Sequence, residues 1–299
     1  MPPLEAAQRS QVAMDLPYEE LMAKLREFHF DYQGFWRIAS AESFSPKQAK
    51  AWMTDHQPLA IQAAIVYLVF VFGTKWFMRK REAFDLSRIL SIWNLFLAVF
   101  SIAGTIAMST EFFGVIREHG IMNSYLYIYD FNKGTNGYWA FLFMSSKIVE
   151  LLDSGFIVLR KRPLMFLHWY HHALTLLYAW YCYPHSPGFT RWGIYLNFFV
   201  HAFMYSYYTI RSLKIKLPGI VARFITTLQI TQFIISCAIL AHVGYLKHTG
   251  SQFDFHPQTY LFASFMDVSY LVLFINFFLQ SYVFGGGKAK YASRKHKTH

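Results

Sequence analysis

Residues 164–183 read Leu-Met-Phe-Leu-His-Trp-Tyr-His-His-Ala-Leu-Thr-Leu-Leu-Tyr-Ala-Trp-Tyr-Cys-Tyr. These twenty residues hold no Asp, Glu, Lys or Arg, yet His168, His171 and His172 fall in their first half. About 20 apolar residues in an α-helix cover the ~30 Å hydrocarbon core of a bilayer. The segment therefore reads as a membrane span with imidazoles on one face. Six further apolar stretches of spanning length lie around it, at 59–77, 89–109, 138–159, 188–208, 220–245 and 258–284. A bilayer admits only elements that satisfy their own backbone hydrogen bonds, so seven such stretches predict an all-α membrane protein of seven transmembrane helices.

Composition agrees. Of 299 residues, 55% are apolar, 20% aromatic and only 15% charged, against about a quarter charged in ordinary globular domains. A disordered chain, a secreted disulfide scaffold and an ordinary soluble enzyme are excluded. Two cysteines supply neither a disulfide framework nor a four-thiolate zinc site. The excess of 28 Lys and Arg over 17 Asp and Glu gives a net charge of +11. In a membrane protein that excess belongs to cytosolic loops rather than to nucleic acid.

Its distribution sets the orientation. Arg79, Lys80, Arg81 and Arg88 lie in the first loop, Arg160, Lys161 and Arg162 in the third, and Arg211, Lys214 and Lys216 in the fifth. The even loops carry only Arg117 and Lys133, then Arg191, then Lys247. Odd loops and the C-terminus are expected in the cytosol, with the N-terminus across the membrane. Three regions follow: an N-terminal extension (1–57), a seven-span domain (58–284) and a basic tail (285–299). The extension is polar, has no cleavable signal pattern, and contains two short amphipathic segments, 18–28 and 45–55, expected at the interface. The tail begins with the flexible Gly285–Gly287 and ends Lys295-His296-Lys297-Thr298-His299. That ending is similar to the lysine-x-lysine-x-x signal that retrieves proteins to the endoplasmic reticulum.

The informative residues are ionisable groups inside the spans, each costing about 2.5–3.5 kcal/mol at mid-bilayer on insertion scales. The third span carries Lys147, Glu150 and Asp153; at about 100° per residue these lie within roughly 120° of arc. The fourth carries the three histidines. The fifth carries Asn197, His201, Tyr205 and Tyr208, and the sixth Thr226, Gln229 and Gln232. At about 1.5 Å per residue from the nearest basic loop, Asp153, His171 and His201 lie roughly 10–15 Å deep. One polar chamber in the cytosolic half of the bilayer is expected, with an apolar interior beyond it.

Imidazoles beside carboxylates suit an iron or zinc site, acid–base or nucleophilic catalysis, or a proton relay in a transporter or receptor. A network that only pins helices together is the bland alternative.

The same residues resemble, in order and on the right spans, the motifs of the very-long-chain fatty-acid elongases, the membrane condensing enzymes of the endoplasmic reticulum. The lysine–glutamate–aspartate motif is Lys147, Glu150, Asp153, and the histidine box is His168, His171, His172. The third motif is Asn197, His201, Met204, Tyr205, Tyr207, Tyr208, and the last is Thr226, Gln229, Gln232. The resemblance covers about residues 45–284. It implies seven spans, six of them enclosing an acyl tunnel, and condensation of acyl-CoA with malonyl-CoA to 3-oxoacyl-CoA, CoA and carbon dioxide. No cofactor or metal is implied beyond the CoA thioesters. The implied partners are acyl-CoA, malonyl-CoA, membrane lipid, a second copy of the chain and the other enzymes of the elongation cycle.

For catalysis, His171 is expected as nucleophile or base and His201 as its proton-transfer partner, with His168 and His172 beside them. Glu150 and Asp153 are expected to orient the imidazoles. Lys147, Asn197 and Gln229 are expected to bind oxyanions or the malonyl carboxylate, with Tyr205 and Tyr208 against substrate. Cys182 and Cys237 lie deeper than the chamber and are discounted. Trp169 within the box and Pro163 before it look like the branch acting on saturated and monounsaturated chains. The rivals are a di-iron desaturase or hydroxylase, whose family needs roughly eight histidine ligands, and a seven-span receptor or transporter.

Overall fold

A computed structural model describes residues 17–284; the triglycine, the retrieval-like ending and the first sixteen residues lie outside the described residues. Among the described residues the secondary structure is helical throughout. Three short helices come first: α1 (Tyr18–Lys24), α2 (Tyr32–Ala39) and α3 (Pro46–Asp55). Then come α4 (Gln57–Phe77), α5 (Ser87–Leu126), α6 (Gly134–Val149), the short α7 (Leu152–Leu159) and α8 (Phe166–His185). The last three are α9 (Thr190–Ser212), α10 (Gly219–His248) and α11 (Pro257–Phe278), the last continued by a π-helical turn, Leu279–Val283.

Local chemistry sets many of these boundaries. Ser45 caps α3 by accepting from the Gln48 amide at 3.4 Å, with Pro46 in the first turn where its missing N–H costs nothing. Pro58 and Pro257 sit in the first turns of α4 and α11, and Pro218 immediately precedes α10. The α8 helix ends at Ser186, whose left-handed backbone (φ 36°, ψ 61°) turns the chain into Pro187.

By length and composition, α4 with its following turn, α5, α10 and α11 with its π-helical turn are long and apolar enough to cross a membrane. The polar stripes lie on α6 with α7, on α8, on α9 and on α10.

Three expectations need correction. The third span is not one helix: α6 stops at Val149, and i→i+3 bonds from Asp153 N to Glu150 O (3.1 Å) and Ser154 N to Leu151 O (3.3 Å) tighten the chain before α7. Glu150 and Asp153 therefore flank a turn instead of sharing one regular helix face. The second span runs on to Leu126, across a break at Gly120, whose φ of 83° only glycine adopts freely. The α2 helix was not expected; Asp31 caps it by accepting from the Gly34 amide at 2.8 Å. The segment 45–55 is helical, as expected, and packs by one face. From α3, Ala49, Trp52 and Met53 are buried in the main core with Phe141, Leu176 and Trp180.

Packing closes a ring. The α5 helix packs on α6, α6 on α8, α8 on α11, α11 on α10, α10 on α9, and α9 back along α5. The α4 helix lies outside this ring against α7 and α8. Where α5 packs along α9, a Cβ on Gly104 would fall 2.6 Å from ring carbons of Phe198. Phe198 is held by the rings of Phe100, Trp139 and Phe143 (centroids 4.7–6.2 Å away) and has no room to retreat. We expect Gly104→Leu to destabilise the protein by about 1–3 kcal/mol through overpacking. Thermal unfolding of purified protein in detergent reads this, and an unchanged midpoint would contradict so tight a contact.

Candidate active site

Residues of α5, α7, α8, α9, α10 and α11 line a cavity of about 490 Å³. His168, His171 and His172 reach it from α8, Asn197, His201, Tyr205 and Tyr208 from α9, Asp153 from α7, and Gln229 and Gln232 from α10. Four stripes that lie far apart in sequence thus meet in one wall. At one end the rim is formed by Arg160, Arg162 and Arg211, which are exposed or half-buried. At the other, a smaller cavity of about 80 Å³ with mainly apolar lining adjoins it. The two share His171, Asn197, Gln232 and Phe233, so His171 stands at the junction.

His171 is positioned from α11. The Tyr270 hydroxyl donates to the His171 carbonyl at 3.0 Å, lies 2.8 Å from Thr175 Oγ1, and brings its ring to 4.8 Å from the imidazole. Among the described residues no protein group hydrogen-bonds either His171 ring nitrogen. His172 packs edge-on against it at 5.4 Å, and His168 packs on His172 at 4.5 Å. His168 Nε2 is buried with no partner.

Asp153 serves His172 rather than His171. Its Oδ1 accepts from the Trp93 indole at 2.5 Å, its Oδ2 accepts from Tyr205 at 2.9 Å, and His172 Nε2 lies 4.0 Å from the same Oδ2. A carboxylate held by two donors is fixed in place, which is how it orients a neighbouring imidazole.

Glu150 and Lys147 stand behind the cavity wall and are not part of it. Lys147 is 3% exposed. Its ammonium donates to Glu150 Oε1 at 2.7 Å and sits 4.0 Å over the Phe143 ring, while Ser146 donates to the same Oε1 at 2.8 Å. The ammonium also donates to Asn197 Oδ1 at 3.3 Å, and Asn197 Nδ2 lies 3.3 Å from His201 Nε2. Since Oδ1 accepts from a cation, the amide nitrogen must face His201. It can only donate, so Nε2 accepts and the neutral imidazole carries its proton on Nδ1. The chain Glu150–Lys147–Asn197–His201 therefore sets a tautomer. This places Lys147 one step away from any substrate oxyanion, where direct contact was expected. Gln229 is freer: its amide donates only to the Met204 sulfur, a weak acceptor, at 3.3 Å. Tyr208 lines the cavity half-open and bonds no other side chain among the described residues.

Several contributors were not anticipated. Trp93 and the buried Asn94 come from α5, where Ser91, Asn94, Ser101, Thr105 and Ser109 recur at helical spacing, a stripe of uncharged polar residues that a reading by ionisable groups does not mark. Tyr270 looked like one more aromatic among 31 Phe and 20 Tyr. Among the described residues no group of three or more His, Cys, Asp or Glu side chains is arranged to hold a metal ion. The two cysteines stay out of the outer cavity, Cys182 buried and Cys237 half-buried.

Chemically, the site offers an unengaged imidazole at a junction, a second imidazole of defined tautomer, a loosely held amide donor and a cationic rim. That set suits acyl transfer from an anionic thioester. Comparison with known proteins points the same way. Residues 52–290 match the family described as ELO: GNS1/SUR4. The chain is 58% identical over 274 residues to "Long chain fatty acid elongase 1" of Caenorhabditis elegans, covering 91% of this chain and 95% of that one. It is 36% identical over 271 residues to "Very long chain fatty acid elongase 6" of Mus musculus, covering 90% and 97%. It is 38% identical over 247 residues to the Drosophila melanogaster protein of the same name, covering 82% and 78%.

Proposed function

Because this chain belongs to the ELO: GNS1/SUR4 family and is a multi-pass membrane fatty-acid elongase, we propose that it condenses acyl-CoA with malonyl-CoA through an acyl-histidine at His171. The observation that carries the reading is the position of His171, with unengaged ring nitrogens, where the arginine-rimmed cavity meets the inner one.

In the first step an imidazole nitrogen of His171 attacks the thioester carbonyl. The C–S bond breaks, and CoA leaves as the thiol with the proton the imidazole gives up. In the second, malonyl-CoA loses carbon dioxide and the freed electron pair forms the new C–C bond to the acyl carbon. The C–N bond to His171 breaks, its electron pair returns to the ring nitrogen, which takes up one proton from water to restore the neutral imidazole, and the 3-oxoacyl-CoA departs. The Nδ1–H of His201 and the Gln229 amide are the donors suited to the developing oxyanions. Asp153 holds His172, and the Lys147–Asn197 bridge holds His201. Burial within the helix ring keeps water from hydrolysing the acyl-imidazole.

In membrane terms, seven spans place the arginine rim at the cytosolic face, where CoA is available, and six of them enclose the acyl chain. The basic segment after the last span then lies in the cytosol, and the protein acts in the endoplasmic reticulum membrane. Substrates are saturated and monounsaturated chains of about palmitate size. A second copy of the chain and the later enzymes of the cycle are the expected partners.

Two experiments test this reading. Purified protein given palmitoyl-CoA and labelled malonyl-CoA should release labelled carbon dioxide and a 3-oxoacyl-CoA; substrate desaturation with bound iron, or no product, would overturn it. Separately, changing Arg160, Arg162 and Arg211 to Gln should raise KM for acyl-CoA about tenfold or more with little change in kcat, since phosphate contacts at the rim bind ground and transition states alike. An unchanged KM would put the CoA elsewhere.

A further inference from the structure

The inner cavity is not wholly apolar. Along one side it carries Gln232 and Ser236, one helical turn apart on α10, and Asp267 from α11. All three are at least nine-tenths buried (7%, 8% and 9% exposed). Among the described residues none of the three side chains has a hydrogen-bond or ion-pair partner in the protein. A helical serine commonly returns its hydroxyl to the preceding turn, as Thr226 does to Ala222 at 3.0 Å. Ser236 does not.

Leaving a carboxyl, a hydroxyl and an amide in an apolar enclosure without partners is unfavourable unless something that enters the cavity satisfies them. A fully saturated chain cannot. Neither the acyl-transfer step nor the helix packing uses these groups.

Their level is fixed by neighbours. Tyr270 touches both His171 (4.8 Å) and Phe233 (5.4 Å). Asp267 precedes Tyr270 by three residues, about 4.5 Å along α11, and Ser236 follows Phe233 by three on α10. The two helices run antiparallel, so Asp267 and Ser236 lie at one depth, past the reaction centre. Gln232 lies between them and the outer cavity.

We propose that Gln232, Ser236 and Asp267 form a recognition site for a hydroxyl group on the acyl chain, a short distance beyond the reactive carbonyl, with Asp267 as its specificity-determining residue. This rests on the elongase reading. A chain hydroxyl donates to the Asp267 carboxyl and accepts from the Gln232 amide or the Ser236 hydroxyl, so one substituent completes the stripe. A site built around a buried hydrogen-bonding group discriminates strongly against the analogue that lacks it, whereas an apolar slot is nearly indifferent.

The test compares purified wild type, Asp267→Asn and Asp267→Leu. The substrates are palmitoyl-CoA and a set of palmitoyl-CoAs bearing one hydroxyl at successive proximal carbons, each with malonyl-CoA. The expected result is a maximum of kcat/KM at one hydroxyl position for wild type. Asp267→Leu should lower the hydroxyl-to-saturated ratio at that position about tenfold or more, and Asp267→Asn, which keeps a polar group, by less. Turnover of palmitoyl-CoA itself should be retained or raised in both. Equal ratios in wild type and Asp267→Leu would overturn the proposal. So would a wild type that elongates palmitoyl-CoA and rejects every hydroxylated chain. If Asp267→Leu does not fold, the ratio from the near-isosteric Asp267→Asn decides in the same way. Absence of condensation with any substrate would instead strike the elongase reading.

Discussion

His171→Ala should abolish condensation, lowering kcat by about three orders of magnitude or more while leaving the protein folded. The size follows from the role. If the acyl group is carried on the imidazole, its loss removes the covalent route, and the remaining donors supply only binding and oxyanion stabilisation. Folding should survive because α11 grips this position through the His171 carbonyl, which the substitution leaves in place. The change is read as labelled carbon dioxide released per minute, beside gel filtration and thermal unfolding to confirm the fold. Activity within tenfold of wild type would exclude His171 as nucleophile. His201→Ala should also fall steeply. Lys147→Met should lower activity and stability together, because it frees the Asn197 amide to turn and leaves the buried Glu150 carboxylate without its cation.

Arg191→Met carries the largest expected loss of stability. Arg191 is fully buried, its guanidinium paired with Glu111 at 2.9–3.2 Å and donating to the carbonyls of Ser124, Tyr127 (2.9 Å) and Ile128 (2.6 Å). Those carbonyls belong to the end of α5 and the strand of loop after it, so one side chain ties α5 to the first turn of α9. Substitution leaves a mostly buried carboxylate unpaired and three carbonyls without their donor, a class of change that costs about 3–5 kcal/mol. Thermal unfolding in detergent should show a midpoint many degrees lower, or the protein should fail to accumulate. A near-normal midpoint would mean that the ion pair contributes little. Removing both charges, with Glu111→Leu in the same chain, should recover part of the loss, because the penalty lies in the unpaired charge.

Arg191 also marks a limit of sequence reading. Beside Gly188 and the preceding prolines it reads as a loop charge, and nothing in the one-dimensional pattern says that a long extension of α5 folds over it. The apolar runs, by contrast, marked where α4, α8, α9, α10 and α11 fall, while α5 runs past its stretch to Leu126 and the third stretch is divided between α6 and α7. Pro46, Pro58 and Pro257 stand in the first turns of α3, α4 and α11, where a proline favours a helix start. The polar stripes announced a common chamber because ionisable groups inside apolar helices are too costly to be scattered. What the stripes could not tell was who faces whom. The arc drawn through Lys147, Glu150 and Asp153 assumed an unbroken helix, and the turn after Val149 sends Glu150 behind the wall while Asp153 stays in the cavity. Trp93 was hidden because an indole in an apolar helix is unremarkable until a carboxylate is found against it. Gln232 had been seen as part of a motif, yet the stripe it forms with Ser236 and Asp267 joins two helices in antiparallel register and has no periodic trace in either.

The central claim is that His171 carries the acyl group, and mass spectrometry tests it most directly. Purified protein is incubated with palmitoyl-CoA in the absence of malonyl-CoA, quenched, digested and sequenced. The account predicts a palmitoyl adduct on the peptide containing His171, lost when malonyl-CoA is added before quenching and absent from His171→Ala. An active preparation that shows no adduct under single-turnover conditions, or one that carries it on Cys182 or Cys237, would contradict it.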